Sequence, residues 1–330
     1  MPYEPNSPPS STGSWPPSAP DERPRWALSL LLFVAATTSV LYTGARARIA
    51  ELSPEEEPAF QVSHLVHGVS YAASLMGILL AHELGHYIAA RLRGVSASLP
   101  YFLPMPFSPF GTWGAIITMP SRITSRRALL DIGAAGPLAG MAVAIPVLVG
   151  GLRMSVVKPM EPGALLEGQC LLYLLIKRLV LGPIPEGHDV FLHPVAFAGW
   201  AGFFVTMINL LPYGQLDGGH IAYALLGPRQ NRISHWVRWG TLLLFLYNLG
   251  IQLWTLSHKE FSRDALSMAL SNSAFWLVWF GILTLMRRLG GPEHPPTDPG
   301  EALGQGRAVV AVLCLLLFLL LFMPSPLVLT

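Results

Sequence analysis

The chain has 330 residues, of which 52% are hydrophobic and only 12% are charged. Because the apolar residues form long blocks and not the spaced pattern of a soluble core, this composition predicts an all-α polytopic membrane protein. The formal net charge of +2 is spread over many loops, so no basic face indicates nucleic-acid binding. Cys170 and Cys314 lie in different apolar segments, which argues against a disulfide framework or a thiolate metal site.

The N-terminal part is predicted as two units. Residues 1–24 are rich in Pro and Ser and have no hydrophobic periodicity, so we expect a disordered tail. Residues 25–61 hold a first transmembrane helix, at about 26–42, and an acidic loop. Residues 45–47 resemble a signal-peptidase site, but a cleaved signal would place its apolar core nearer the first residue, so we expect a retained helix.

Further apolar blocks predict additional transmembrane segments. They cover roughly 62–90, 128–152, 194–211, 237–256, 272–286 and 308–323. Another apolar piece, 165–181, is interrupted by charged residues and lies either along the interface or partly inside the membrane. Lys and Arg are more numerous in the loops on the side where the segment 62–90 ends. This bias predicts that side as the cytoplasmic face and places the C-terminus outside.

One of these segments carries a metal-binding pattern near its C-terminal end. His82 and His86 are four residues apart, so both imidazoles lie on one helix face and can share a metal ion, as is typical of zinc sites. Glu83 is placed to take a proton from a water molecule at that metal. His64 and His67 lie about 27 and 22 Å earlier at 1.5 Å per residue, too far to join this site.

The apolar stretch 98–120 cannot be a helix because prolines interrupt it repeatedly. At membrane depth such a backbone is tolerated only against protein or a water-filled cavity. We therefore expect a re-entrant loop that ends in a short strand, Ala115–Met119, beside the metal helix. An ordinary interfacial loop is the alternative.

The span after this loop contains small residues and one acid. Gly133, Gly136 and Gly140 are three or four residues apart, which is typical of close helix packing rather than of chemistry. Asp131 follows Arg127 by four residues, so we expect the two side chains to pair. Asp131 is therefore a weak candidate for a metal ligand.

A third protein ligand is expected because a catalytic zinc usually has three, with one open position. Asp217 follows a helix that Pro212 and Gly214 interrupt, and an acidic side chain presented there at membrane depth marks a functional site. His220, three residues further on, is an alternative ligand or a residue that supports one.

Four segments follow one another in the order His82-Glu83-Leu84-Gly85-His86, Phe110-Gly111-Thr112-Trp113-Gly114-Ala115, Ala135-Gly136-Pro137-Leu138-Ala139-Gly140 and Leu216-Asp217-Gly218-Gly219. In this order they resemble the site-2 protease family of intramembrane zinc metalloproteases. The stretch 192–220, with His193-Pro194 and Gly199-Trp200 ahead of Asn209 and Asp217, is most similar to the cyanobacterial and chloroplast branch of that family. The resemblance covers about residues 62–226. The connection 153–193 is too short and too apolar for a PDZ domain, so we do not expect that module.

The resemblance implies a three-helix catalytic core with a re-entrant β-hairpin-like loop. The core would occupy 62–226, with one transmembrane helix before it and three after it, in 227–330. The loop, at about 99–120, would hold an unwound substrate segment by strand addition. The residues that would line this strand are Gly114, Ala115, Ile116 and Ile117.

The resemblance also implies roles at the metal. His82, His86 and Asp217 would hold one Zn²⁺ per chain, and Glu83 would be the general base. Asn209 would position the substrate or stabilise the developing oxyanion.

Together these features predict an intramembrane zinc metalloprotease that cuts transmembrane protein substrates within the lipid bilayer. We expect a bacterial cytoplasmic membrane, with the active site towards the cytoplasm. A metal transporter is one alternative, but it would not need Glu83 as a base and would be expected to show an internal repeat. A noncatalytic metal-binding scaffold is another, and it would be expected to lack a ligand or the glutamate. The sequence makes no prediction of the oligomeric state.

Overall fold

The structure, a computed structural model, describes residues 26–52, 60–119, 123–160, 165–258, 262–290, 294, 297–298 and 300–329. The tail predicted at 1–24 lies outside the described residues, as do 53–59 of the predicted acidic loop. The first helix runs from Trp26 to Leu52, so the prediction of a loop from residue 46 is wrong.

Within the described ranges the fold is mostly helical. The α-helices are α1 (Trp26–Leu52), α2 (Val69–Leu92), α3 (Arg126–Arg153), α4 (Leu171–Leu181), α5 (Pro194–Asn209), α6 (Asp217–Leu226), α7 (Arg229–Ser257), α8 (Arg263–Gly290) and α9 (Gln305–Leu321). A short 3-10 helix, Val62–Gly68, leads directly into α2. The strands are β1 (Tyr101–Pro104), β2 (Thr112–Ile116), β3 (Val156–Pro159), β4 (Leu165–Glu167), β5 (His188–Phe191) and β6 (Leu327–Leu329).

Among the described residues, 5 helical segments are long and apolar enough to cross a membrane. They are Trp26–Ala50, Val62–Leu92, Arg126–Arg153, Arg229–Ser257 and Ala265–Leu289. Helices α5 and α9 are apolar but shorter, whereas we expected full spans there. Helix α5 ends ahead of Pro212 and α9 ends ahead of Pro324, and proline cannot continue a helix.

Helix α3 is the centre of the bundle and packs against α2, α5 and α6. Glycines make these contacts close. A Cβ at Gly85 of α2 would lie 2.5 Å from the carbonyl oxygen of Ala135, and a Cβ at Gly199 of α5 would lie 2.7 Å from the Cα of Leu148. The helix backbones touch because these positions carry no side chain.

Strands β1 and β2 form an antiparallel hairpin against α1. The pairing runs from Tyr101 opposite Ile116 to Pro104 opposite Thr112, with a bulge between. The predicted strand bounds, Ala115–Met119, are wrong, because the strand begins directly after the turn. Thr112 starts it by donating from its hydroxyl to the carbonyl oxygen of Leu103, at 2.8 Å.

The turn of this hairpin is fitted to α1. Gly111 has a φ of 79°, and a Cβ there would lie 2.6 Å from the Cα of Val40. The hydroxyl of Ser39 donates to the carbonyl oxygen of Gly111 at 2.6 Å. Glycine is required by both the backbone angle and the close approach.

The connection between α3 and α5 lies at the opposite end of the bundle from the α2–β1 loop. Strand β3 pairs with β5, and β4 pairs with β6 at the C-terminal end of the chain. The apolar piece 165–181 folds as β4 and α4. Because α4 has only 11 residues, it is about 16 Å long, too short to cross a bilayer.

Asp131 joins three helices at the other end. Its carboxylate contacts Arg93, just beyond α2, and accepts hydrogen bonds from Arg307 of α9 at 3.0 to 3.2 Å. The predicted pair with Arg127 is wrong. The Arg127 side chain instead donates to the carbonyl oxygen of Ala302, at 2.9 Å, which turns it away from Asp131.

Candidate metal centre

Three predicted ligands converge between α2 and α6. The Nε2 atoms of His82 and His86 are 3.1 Å apart, and Oδ2 of Asp217 lies 3.3 Å from the first and 3.2 Å from the second. Within the described part of the chain, these three side chains form a group of potential ligands that lie close enough together to hold a metal ion. The three groups approach one another although 131 residues separate His86 from Asp217.

The spacing of these atoms fits a tetrahedral metal ion. Ligands at about 2.0–2.1 Å from zinc stand about 3.3 Å from each other at the corners of a tetrahedron. All three observed separations, 3.1, 3.2 and 3.3 Å, are close to this value. Two imidazoles and one carboxylate are also the donor set of many catalytic zinc sites, which leave the fourth position open.

A helix break carries Asp217 to this position. The chain ends α5 at Asn209 and starts α6 at Asp217, with Pro212 in the connecting turn. A Cβ at Gly218 would lie 1.9 Å from the carbonyl oxygen of Leu210. The start of α6 can therefore lie directly against the end of α5, and Asp217 reaches α2.

Helix α3 orients the histidines. Nδ1 of His86 lies 2.8 Å from the carbonyl oxygen of Ile132. Donation from this nitrogen leaves Nε2 with its lone pair facing the other two ligands. A Cβ at Gly136 would lie 2.0 Å from Nε2 of His86, so only glycine allows the ring to lie against α3. The prediction of close packing at this glycine is confirmed, and the packed group is a candidate ligand.

Two further polar groups border the three ligands. Glu83 is buried in α2 and lies within electrostatic range of both histidines and Asp217. The side-chain nitrogen of Asn209 lies 3.2 Å from Nε2 of His82. An amide donor and a buried carboxylate therefore border the three side chains that would hold a metal ion.

The other predicted residues lie elsewhere. Asp131 is outside the cluster, in the ion pairs with arginines. His220 is not a member either, because its Nδ1 faces His294 at 2.8 Å. His64, in the 3-10 helix, makes an edge-to-face contact with Phe60, and His67 is exposed on the same helix.

The predicted substrate strand lies next to the metal helix. Gly114, Ala115 and Ile116 belong to β2, and Ile117 follows directly. Strand β2 contacts both α2 and α1.

Two neighbours of the site were not predicted. The Ile132 carbonyl carries no side-chain signal, because any residue would offer the same atom. His294 lies 74 residues after His220, in a polar stretch with no motif.

A helical membrane bundle with a buried histidine pair and a converging aspartate defines a class of membrane-embedded metal-binding protein. Comparison with known families narrows this class. The profile of peptidase family M50, the site-2 protease family, matches residues 70–247. The chain belongs to this family and is a multi-pass membrane protein.

Curated relatives of this chain include two plant proteins. "Probable zinc metalloprotease EGY1, chloroplastic" of Arabidopsis thaliana is 33% identical over 223 residues, 62% of this chain and 40% of the relative. "Probable zinc metalloprotease EGY2, chloroplastic" of Oryza sativa subsp. japonica is 33% identical over 177 residues, 51% of this chain and 31% of the relative. The chain thus spans 40% or less of the length of these two proteins. No solved structure was found to match the chain.

Proposed function

We propose that this chain is an intramembrane zinc metalloprotease that cuts peptide bonds within or near transmembrane helices of other membrane proteins. The observation that carries the proposal is the meeting of His82, His86 and Asp217 within 3.3 Å of one another, beside the buried Glu83. Membership in peptidase family M50 and the names of the plant relatives support it.

His82, His86 and Asp217 would hold one Zn²⁺ ion. The chemistry that a bound zinc ion supplies is polarisation of the scissile carbonyl and activation of a water molecule. Glu83 accepts the proton of the attacking water and passes it to the leaving amine. The Asn209 amide donates a hydrogen bond to the carbonyl oxygen as negative charge develops on it.

Strand β2 presents the substrate. A peptide bond inside a helix is shielded by its own hydrogen bonds, so the substrate helix must unwind before cleavage. Strand β2 pairs with β1 along one edge. The other edge, formed by Gly114, Ala115, Ile116 and the adjoining Ile117, would supply main-chain hydrogen bonds to the unwound segment.

The metal centre would open towards the cytoplasm. Arg93, Arg127 and Arg307 lie at the same end of the bundle, where Asp131 and Glu301 pair with them. This end is also the nearer one to His86, six residues before the end of α2 at Leu92. The excess of arginine favours the cytoplasmic side.

The membrane itself stays a prediction. We expect a bacterial cytoplasmic membrane, whereas the names of the plant relatives place those proteins in chloroplasts. Fractionation of the source cells, followed by detection of the full chain, would distinguish the two membranes.

The decisive test compares the wild-type chain with Glu83→Gln in detergent, at matched zinc content. The substrate is a transmembrane helix that contains helix-breaking residues. We expect about one zinc per chain in both proteins and a loss of cleavage of about 10²–10⁴-fold in the variant. Glu186→Gln, at an exposed glutamate in the loop before β5, is the matched control and should cut normally.

Each outcome has a clear meaning. Full activity in Glu83→Gln would contradict the proposed base. Zinc binding without cleavage in the wild-type chain, combined with zinc flux through vesicles that contain it, would favour the transporter. A wild-type chain that binds no zinc would contradict both the protease and the transporter.

A further inference from the structure

The connection between α8 and α9 packs against the helix that carries Asp217. Its described residues are 294, 297–298 and 300–304. They lie beyond residues 70–247, which the family profile matches. Family membership therefore assigns no role to this connection.

His294 is the buried anchor of the connection. The residue is 5% exposed, and its Nε2 lies 2.8 Å from Nδ1 of His220. Its ring stacks on Tyr223, with the ring centroids 4.1 Å apart. Its backbone N–H donates to the side-chain oxygen of Asn231 at 3.0 Å. His294 therefore ties α6 to the first turn of α7.

The same connection also reaches the far end of α6. Arg126 donates to the carbonyl oxygen of Ala224 at 2.8 Å, and it donates to the backbone carbonyl oxygen of Glu301 at 3.5 Å. Ala224 is in the last turn of α6, where carbonyl groups have no partner within the helix. His294 thus contacts the first turn of α6 directly, and Glu301 contacts Arg126, which binds the last turn of α6.

Helix α6 needs such support. It has only 10 residues, and no side chain caps its N-terminus at Leu216. An isolated helix of this length is unstable in water, so tertiary contacts must decide its position. On the other face of its first turn, a Cβ at Gly133 of α3 would lie 3.1 Å from the Cβ of His220. His220 is therefore held between α3 and His294.

We propose that His294 is a positioning residue for the metal ligand Asp217. Asp217 and His220 are one helical turn apart, so a displacement of His220 displaces the carboxylate as well. His294 fixes the position and orientation of the first turn of α6. It thereby fixes the position of Oδ2 of Asp217 relative to the two histidines. This inference rests on the proposed function, since it requires a metal ion at the three ligands. Loss of a group that supports a metal ligand weakens metal binding by about 10–100-fold.

The test uses the full chain in detergent, with Co²⁺ as a spectroscopic probe in place of zinc. The variants are His294→Ala, which removes the contact with His220, and His294→Gln, whose amide nitrogen can stand near the position of Nε2. The measurements are the visible absorption of bound Co²⁺, which reports its coordination, and the rate at which a chelator removes the metal.

We expect His294→Ala to alter the Co²⁺ spectrum and to release metal about 10-fold faster or more. His294→Gln should restore most of the wild-type spectrum and rate. His258→Ala is the matched control, because His258 is exposed at the end of α7, where its ring makes an edge-to-face contact with Trp254 of the same helix. Its spectrum and release rate should not change.

A wild-type spectrum and release rate in His294→Ala would overturn the inference. If that variant does not fold, Asn231→Ala decides, because it removes the hydrogen bond that holds the His294 backbone; unchanged metal release there would overturn the inference as well. A wild-type chain that binds neither Co²⁺ nor Zn²⁺ would instead contradict the proposed function itself.

Discussion

Arg307, in the first turn of α9, forms a two-pronged ion pair with Asp131 of α3, with Nε 3.0 Å from Oδ1 and Nη2 3.1 Å from Oδ2. Paired hydrogen bonds of this geometry are among the stronger polar contacts in proteins. Asp131 also contacts Arg93, beyond α2. Helix α9 lies outside the family-matched residues 70–247, yet this carboxylate fastens it to the two helices around the metal centre.

The first prediction concerns this junction. Asp131→Asn should lower the free energy of unfolding by about 1–2 kcal/mol, because the pairs are partly exposed to solvent. In a thermal melt this corresponds to a decrease of the midpoint by roughly 2–6 °C. Zinc content should not change, since Asp131 is not a ligand. Arg127→Gln, at the partner that the sequence suggested, should have a smaller effect, and the reverse order would contradict the observed pairing.

The second prediction concerns the glycine beneath His86. Gly136→Ala would place a Cβ 2.0 Å from Nε2 of His86, and the ring cannot retreat without breaking its 2.8 Å contact with the Ile132 carbonyl. We expect metal content to fall at least about 10-fold in a folded chain. Gly150→Ala is the matched control on the same helix, because a Cβ there meets nothing within 4 Å. Normal zinc content in Gly136→Ala would show that the ring does not lie against α3.

The third prediction concerns the substrate strand. Gly114 has a φ of 87°, so Gly114→Ala strains β2 by about 1–2 kcal/mol without any clash. Cleavage efficiency, measured as kcat/KM, should fall about 10-fold while zinc content stays the same. Gly94 lies in the turn after α2 and has a φ of 68°, so Gly94→Ala introduces similar strain away from β2. This variant should cleave the substrate normally. Equal losses in both variants would indicate general destabilisation and not a role of β2.

The spacing of the two histidines in the sequence made their contribution to the metal centre predictable. His82 and His86 lie on one helix, so four residues of separation fix their relative position. Asp217 was a candidate because its surroundings break a helix, but its proximity to His86 depends on packing between α6 and α2 across 131 residues. The sequence favoured Asp217 over Asp131 and His220, and the three-dimensional fold brings the Asp217 carboxylate to the two histidines.

The prediction of an ion pair between Arg127 and Asp131 failed because both side chains bind residues that are distant in the sequence. Arg127 is four residues from Asp131, the spacing of a helical ion pair, yet it lies against residues of the α8–α9 connection. Asp131 instead pairs with Arg307, which is 176 residues away in the sequence. His294 gave no signal for the same reason, because its partners come from α6 and α7 and no pattern within its own segment implies them.

The connection between α3 and α5 contains a buried polar cluster outside the spanning helices. Glu167 accepts a hydrogen bond from the hydroxyl of Tyr173 at 2.7 Å and lies 3.4 Å from the ammonium group of Lys177. Lys177 is 2.9 Å from Asp189 as well. Burial raises the pKa of the Glu167 carboxyl above its ordinary value of 4.5, and the positive charge of Lys177 offsets this only in part.

The last prediction is the pH dependence that follows. Because the pKa of Glu167 is higher in the folded chain, the folded state binds more protons than the unfolded state between pH 4.5 and the folded pKa. The contribution of this group to stability is therefore complete below pH 4.5 and is lost as pH rises through the folded pKa. Glu167→Gln cannot ionise, and Lys177 keeps Asp189 as a partner. As pH rises, we expect the thermal midpoint of Glu167→Gln to increase relative to the thermal midpoint of the wild type. Glu186→Gln, at an exposed glutamate, should follow the wild-type curve, and parallel curves for all three chains would contradict the raised pKa.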